Sequence, residues 1–268
     1  MIEFRGVTFI HQNGVKALDS VSLAVSPGET VAIVGENGAG KTTLVKHVTG
    51  LLKPTEGSVL VDGRDTREQS TAQLSRKVGV AFQNPDHQLF SETVEKEMAF
   101  ALQNFGFPQG SVEKRITRGL GLFGLEQYRN VSPLVLSGGE KKRLTLACIL
   151  AWDPEVVILD EPTVGQDAIQ KEKLAGTIRM LSSAGKTVIV VSHDIEFLWP
   201  MQPRVVVMKR GRVVADGPAK AVMLQKELLD SARVVQPQLV ALFEELAGGP
   251  GIPFVDPLDV RRWEGGRR

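Results

Sequence analysis

Cysteine is almost absent from this chain: 268 residues contain one, Cys148. No disulfide can form within the chain, which fits a reducing compartment. Cys148 stands in the apolar run L-T-L-A-C-I-L-A and reads as a buried structural thiol, with a reactive thiol as the alternative. Long apolar runs are missing too; none approaches the roughly 18 residues of a membrane-spanning helix. The first residues, M-I-E-F-R-G-V, lack the basic and then apolar regions of a secretory signal. Neither sign of charge is in excess, since the formal net charge is +1. Composition therefore gives no reason to expect nucleic acid as a partner. These absences leave a soluble or peripheral chain. Its hydrophobic share of 42% and charged share of 24% are ordinary for a globular protein, and its length suits one large α/β domain with a small appendage.

Among the residues present, G-E-N-G-A-G-K-T from Gly35 to Thr42 carries the most specific chemistry. It has the P-loop form G-x-x-x-x-G-K-[ST]. Thr30 to Val34 before it reads as a short buried strand, and Thr43 to Gly50 after it as the first turns of a helix. Glycines at 35, 38 and 40 allow the backbone to curl around an anion. Loop amides and the helix N-terminus then point at phosphate oxygens. Lys41 adds a positive charge near the terminal phosphates, and Thr42 offers a hydroxyl to Mg²⁺. The candidate nucleotide contacts are Gly35, Glu36, Asn37, Gly38, Ala39, Gly40, Lys41, Thr42 and Thr43.

Around this unit the early chain is β-rich. Residues 2–10 and 18–25 read as strands, as do Ser58 to Val61, closed by the hairpin signal Asp62-Gly63. Residues 76–82 give a further strand that ends at Gln83, and Asn84 to Phe90 is expected to lack regular structure. From Thr93 to Phe105 the apolar positions follow helical spacing, and a second helix starts at Ser111. No convincing strand falls within 91–150, so a mostly helical insertion over about 84–151 is expected.

Ser137 and Glu140 stand in capping-box relation at the start of the next helix. That end is either a well-capped helix and nothing more or a second anion site. Glu155 to Asp160 is an apolar strand ending in an acid, followed by Glu161. A buried parallel strand would deliver both carboxylates beside the P-loop. Asp160 would hold Mg²⁺, directly or through water, and Glu161 would polarise an attacking water as general base. Lys186 to Val191 is a second such strand, and it brings His193 to the same edge for a γ-phosphate contact. Two strands follow, Arg204 to Lys209 and Arg212 to Asp216. Residues 219–232 read as helical, and another helix from Pro237 carries the stripe Leu239, Leu242, Phe243 and Leu246. That stripe packs on the domain or serves a partner. Gly248 to Gly251 breaks the chain, and the terminal W-E-G-G-R-R is expected to fray.

The P-loop, Gln83, L-S-G-G-E (136–140), V-V-I-L-D-E (156–161), Gly165-Gln166-Asp167 and His193 together resemble the nucleotide-binding subunit of ATP-binding cassette (ABC) transporters over about residues 1–220. F-Q-N-P-D-H-Q-L-F (82–90) and V-Q-P-Q-L-V (235–240) are similar to the ATPase subunits of energy-coupling factor (ECF) transporters, which import vitamins, cobalt or nickel. The resemblance implies a P-loop NTPase fold of the ABC type: an α/β domain over 1–218, with a mainly parallel core sheet, an antiparallel β subdomain and an α-helical insertion. A C-terminal helical extension, 219–268, would follow and could contact a second subunit.

The resemblance also implies roles. Gln83 would contact Mg²⁺ or water and sense the γ-phosphate. Ser137, Gly138, Gly139 and Glu140 would meet the nucleotide held by a second ATPase subunit, either another copy or a related chain, and Asp167 would line that interface. The segment after Gln83 and the helical insertion would receive a transmembrane coupling subunit, and a membrane-embedded subunit would select the solute. The expected place is the cytoplasmic face of the membrane, with ATP and Mg²⁺ as substrate and cofactor.

Three positions depart from the pattern. His11 stands where members carry an aromatic residue that stacks on adenine, Glu140 replaces the commoner Gln, and Gln166 replaces the usual Leu. Two other readings are an ATPase of another ABC transporter class and a soluble ABC ATPase acting on ribosomes or DNA. The latter would call for a second cassette or a long coiled-coil insertion.

Overall fold

The computed structural model describes residues 1–247, 254–256 and 258–259. Strands β1 (Ile2–Ile10) and β2 (Lys16–Val25) pair antiparallel, and β3 (Thr30–Gly35) leaves them for a second sheet. β4 (Glu56–Val61) and β5 (Arg64–Asp65) complete the first sheet in the order β2-β1-β4-β5. Asp62 and Gly63, both at positive φ, make the tight turn between β4 and β5 that the Asp-Gly pair predicts. The second sheet adds β6 (Val78–Ala81), β7 (Val156–Asp160), β8 (Thr187–Val191), β9 (Arg204–Lys209) and β10 (Arg212–Pro218). Its order is β10-β9-β3-β8-β7-β6, parallel throughout except for β10 against β9.

The central strands are apolar on both faces because both faces are covered. Val31, Ile33, Ile158, Ile189, Val191 and Val206 pack with the first sheet and with α1 (Lys41–Val48). Ala32, Val34, Val157, Leu159, Val190 and Val207 pack on the opposite side, against helices. Those helices include α3 (Val94–Asn104), α4 (Gln109–Phe123), α5 (Gly138–Ala151) and α6 (Ala168–Ser183). The described stretch 91–150 contains helices and turns and no strand, as its spacing predicts. Cys148 packs half-buried against this core, and burial pushes its thiol well up, which favours the structural reading.

Three expectations are corrected. Arg76 and Lys77 belong to α2 (Thr71–Lys77), which a capping box between Ser70 and Gln73 starts, so the following strand begins only at Val78. The stretch 219–232 is two short helices, α8 (Ala219–Val222) and α9 (Lys226–Ser231). The break at Gln225 lets Val222 and Met223 on one side and Leu229 on the other all reach the core. In α10 (Gln238–Ala247) the inward face is set by Val240 and Phe243, while Leu246 is 39% exposed. Of the predicted stripe, Phe243 is buried and Leu239 packs partly buried on the core, so the helix packs on its own chain with Leu246 left outside. Phe243 meets Phe254 edge to face, and Trp199 Nε1 donates to the Phe254 carbonyl at 2.9 Å, beyond the four-residue helix α7 (Ile195–Leu198). The glycine break at 248–251 and the terminal six residues lie outside the described residues.

Parallel register decides what meets at the C-terminal edge of the sheet. Ile33 of β3 and Asp160 of β7 both lie opposite Val191 of β8. The Ser192 amide donates to the Ile33 carbonyl at 3.2 Å, and the Glu161 amide donates to the Val191 carbonyl at 2.8 Å. The segments that follow the three strands therefore emerge side by side.

Candidate active site

The P-loop is fixed by two close approaches. At Gly35, φ is +147° and a Cβ would lie 2.1 Å from the Met208 carbonyl oxygen. At Gly40, φ is +101° and a Cβ would lie 2.5 Å from the Ala17 carbonyl oxygen. Only glycine fits either position. Gly40 caps α1 without any side chain, which leaves the first amides of the helix free for an anion. Lys41 is buried, and its Nζ donates to the carbonyls of Gly35 at 2.8 Å and Glu36 at 3.0 Å. Desolvation lowers its pKa, while the carboxylates of Glu161, Asp160 and Glu36 oppose that shift.

Thr42 Oγ1 donates to Asp160 Oδ2 at 2.9 Å, and Asp160 Oδ1 is buried with no hydrogen-bond partner. Burial raises the Asp160 pKa; the Thr42 hydrogen bond works against this and the neighbouring Glu161 charge adds to it. A hydroxyl beside a carboxylate with a spare buried oxygen fits Mg²⁺, which takes few protein ligands and keeps its other positions for phosphate and water. Among the described residues no cluster of three or more His, Cys, Asp or Glu could hold a metal alone.

Glu161 is 6% exposed and sits at φ 50°, in the left-handed region that a side-chain-bearing residue rarely adopts. Its Oε2 lies 2.8 Å from His193 Nδ1 and accepts from the His193 amide at 3.4 Å. His193 itself is largely exposed. The carboxylate is thus held from one side and open to the cavity on the other.

That cavity, about 450 Å³, is lined by His11, Asn37, Gly38, Gly40, Lys41, Thr42, Thr43, Gln83, Glu161 and His193. Asp160 does not line it and reaches it through Thr42. Val15, Lys16 and Ala17 also line it. These were missed as contacts; the hairpin that presents His11 is the signal that brings them along. His11 is exposed and packs edge to face on Phe9 at 4.9 Å. Two P-loop side chains point elsewhere. Ala39 joins the apolar core, and Glu36 pairs with Arg233 at 3.4 Å. Gln83 follows β6, and Gln88 steadies the next segment by accepting from the Phe82 amide and donating to the Val80 carbonyl, both at 2.9 Å.

Ser137, Gly138, Gly139, Glu140 and Asp167 are not at this cavity. The capping box is present: Glu140 Oε2 accepts from the Ser137 amide at 2.8 Å and from its hydroxyl at 2.7 Å. Hydrogen bonds from Tyr128 and Ser137 hold the Glu140 carboxyl down to about 2, so it stays ionised at ordinary pH. Ser137 and Gly138 are exposed. Asp167 is exposed too, and caps α6 by accepting from the Gln170 amide at 2.7 Å. Lys142, which sequence reasoning passed over as part of a helix, reaches into the loop after β7.

Residues 18–164 match the family model described as ABC transporter. This chain belongs to the ABC transporter family. Its P-loop NTPase fold is that of the ABC ATPases. The energy-coupling factor transporter ATP-binding protein EcfA of Methanothermobacter thermautotrophicus is 40% identical over 92% of this chain and 80% of its own length. CbiO1 from Clostridium perfringens, part of the ABC transporter complex cbiONQ, is 32% identical with a TM-score of 0.76, over 91% of this chain and 98% of that one. A dimeric ATP-binding cassette bound to ADP and Pi in a post-hydrolysis state is 30% identical with a TM-score of 0.74, over 81% of this chain and 98% of that one. Relatives from Methanosarcina acetivorans and Methanosarcina mazei, 43% and 44% identical, are longer; the chain spans 37% and 38% of their length. Among the described residues no helix is long and apolar enough to cross a membrane.

Proposed function

We propose that this chain is the ATP-binding and hydrolysing subunit of an ECF-type importer of a vitamin or a transition-metal ion. The observation that carries the enzymatic part is the meeting of Thr42, Asp160, Glu161 and His193 at one sheet edge beside the P-loop. The P-loop amides and Lys41 would hold the phosphates of ATP. Thr42 and the spare oxygen of Asp160, with Gln83 nearby, would hold Mg²⁺, which supplies charge neutralisation on the phosphates. Glu161 takes the proton of the attacking water, and His193 orients that carboxylate and reaches toward the γ-phosphate. Ser137, Gly138, Gly139 and Glu140 would contact the nucleotide of a second subunit, a copy or a related chain, with Asp167 in the interface. His11 would stack on adenine.

The likeness to EcfA and CbiO1 supports the importer class. So does an exposed aromatic pair on the 82–90 segment and α3: Phe90 is 65% exposed, Phe100 is 48% exposed, and their rings meet edge to face at 4.8 Å. Exposed aromatics that pack on each other suit a partner's apolar surface, here a transmembrane coupling subunit with a membrane-embedded solute-selecting subunit beside it. The test is co-purification from solubilised membranes. The wild-type chain is expected to bring an integral membrane subunit with it, and Phe90→Asp to lose that subunit while keeping its ATPase rate in solution. Equal recovery with both chains would count against this docking surface.

A further inference from the structure

The three basic residues after Glu140, Lys141-Lys142-Arg143, tie α5 to three separate places. Lys141 Nζ donates to Asp86 Oδ1 at 2.7 Å, on the segment after Gln83. Arg143 donates to the Phe123 carbonyl at 3.1 Å and to Gln170 Oε1 at 3.3 Å, joining the ends of α4 and α6. Lys142 Nζ reaches the carbonyls of Glu161 and Pro162, each at 3.4 Å, and that of Val164. All three acceptors belong to the loop between β7 and α6, which carries Glu161 at one end and Asp167 at the other.

An ammonium has three donors and no acceptor, so three convergent carbonyls match it. The side chain is half-buried; desolvation lowers its pKa, and the Glu161 charge opposes that shift. The start of the loop is also held by the Glu161 amide on the Val191 carbonyl at 2.8 Å and by His193 on the Glu161 carboxylate. Its own turns are Val164 to Glu161 at 3.4 Å and Gln166 to Thr163 at 3.0 Å, and Glu161 stands at a strained positive φ. A left-handed residue persists only where its surroundings hold it there, and Lys142 grips its carbonyl.

We propose that Lys142 is a positioning residue for Glu161: its ammonium, clamped on the carbonyls of Glu161, Pro162 and Val164, fixes the backbone that carries the carboxylate His193 orients, and transmits movements of α5 to it. Because Lys141 holds Asp86, a push on the segment after Gln83 reaches Glu161 through one rigid helix. The inference rests on Glu161 as the base.

The test compares Lys142→Met, Lys142→Gln and Lys142→Arg, each alone and combined with Glu161→Gln, by steady-state ATPase and ATP affinity. Misplacing a catalytic group by about 1 Å costs on the order of 100-fold in rate. Lys142→Met is expected to lower kcat by about 10- to 100-fold with KM for ATP within about twofold. Lys142→Gln, which keeps donors but not charge, falls between, and Lys142→Arg restores most of the rate. In the Glu161→Gln background Lys142→Met adds no further loss, because the group it positions is gone. The clamp is overturned by wild-type kcat in both the Met and the Gln variants. It is equally overturned by a parallel loss of ATP affinity, by failure of Arg to restore the rate, or by a further tenfold loss on top of Glu161→Gln. Wild-type turnover in Glu161→Gln alone would instead remove the base, and the clamp with it.

Discussion

At the C-terminal edge of the parallel sheet, the groups assigned to phosphate chemistry are already engaged by their own chain. Lys41 lies on the loop carbonyls, Thr42 on Asp160, and His193 on Glu161. At the N-terminus of α5, Ser137 is satisfied by its own capping box, while Gly138 is exposed and a Cβ there would find nothing within 4 Å. One region is wired together by its own chain; the other is finished locally and faces outward. A half-site built inside one chain stores its geometry in bonds within that chain. If the start of α5 serves a second chain, as proposed, its geometry would be stored in that capped helix end, because the ligand would arrive with the partner.

Removing the base attacks the wired half directly. Glu161→Gln keeps the size of the side chain and loses its proton acceptor. Its ATPase rate is expected to fall by about 10²–10⁴-fold with ATP still bound, and size-exclusion in ATP should show a stable dimer; wild-type turnover would break the assignment.

The outward half is probed at Gly138, where a Cβ would find open space within the chain and φ is not positive. Gly138→Ala should leave the melting temperature within about 1 °C and ATP affinity of the single chain unchanged, yet lower hydrolysis by about tenfold or more. Loss of affinity in the monomer would merge the two halves into one.

The smallest effect concerns the cost of the wired half. Asp160 has its carboxyl pKa raised by burial, so its ionised form opposes folding of the nucleotide-free protein. That opposition is absent below the ordinary carboxylate pKa of 3.8 and sets in as pH rises through the higher folded-state value. Asp160→Asn, without Mg²⁺ and nucleotide, should therefore melt about 2–4 °C higher at pH 7, with the gain shrinking toward pH 4. It should also lose Mg²⁺-dependent ATP binding. A lower melting temperature for Asp160→Asn at pH 7 would show that the carboxylate is not held at a cost.

Much of this was legible in the residues. Gly35 to Thr42 between a β-branched run and a helix, the acid-ended strand at Asp160, and the Ser137–Glu140 pair are local signals, and the structure has each in the expected form. The errors also have local causes. The start of α2 is carried by Ser70 and Gln73, upstream of the apolar alternation that drew the strand back to Arg76. The face of α10 depends on where Phe254 and Trp199 sit, which no spacing within the helix encodes. Lys142 was invisible for the same reason, since its acceptors lie about twenty residues away on another element.

By itself, then, the sequence determined which groups could meet a phosphate, a metal ion and a water, because glycine freedom, hydroxyl, carboxylate and capping chemistry are properties of residues and their near neighbours. Only the tertiary structure decided that Thr42 faces Asp160, that His193 holds Glu161, and that Lys142 grips the loop bearing the carboxylate. The first two follow from parallel strand register, which brings segments about 120 and 30 residues apart to one edge. The grip of Lys142 follows from how α5 packs against the face of that sheet, and packing is settled by the whole core at once.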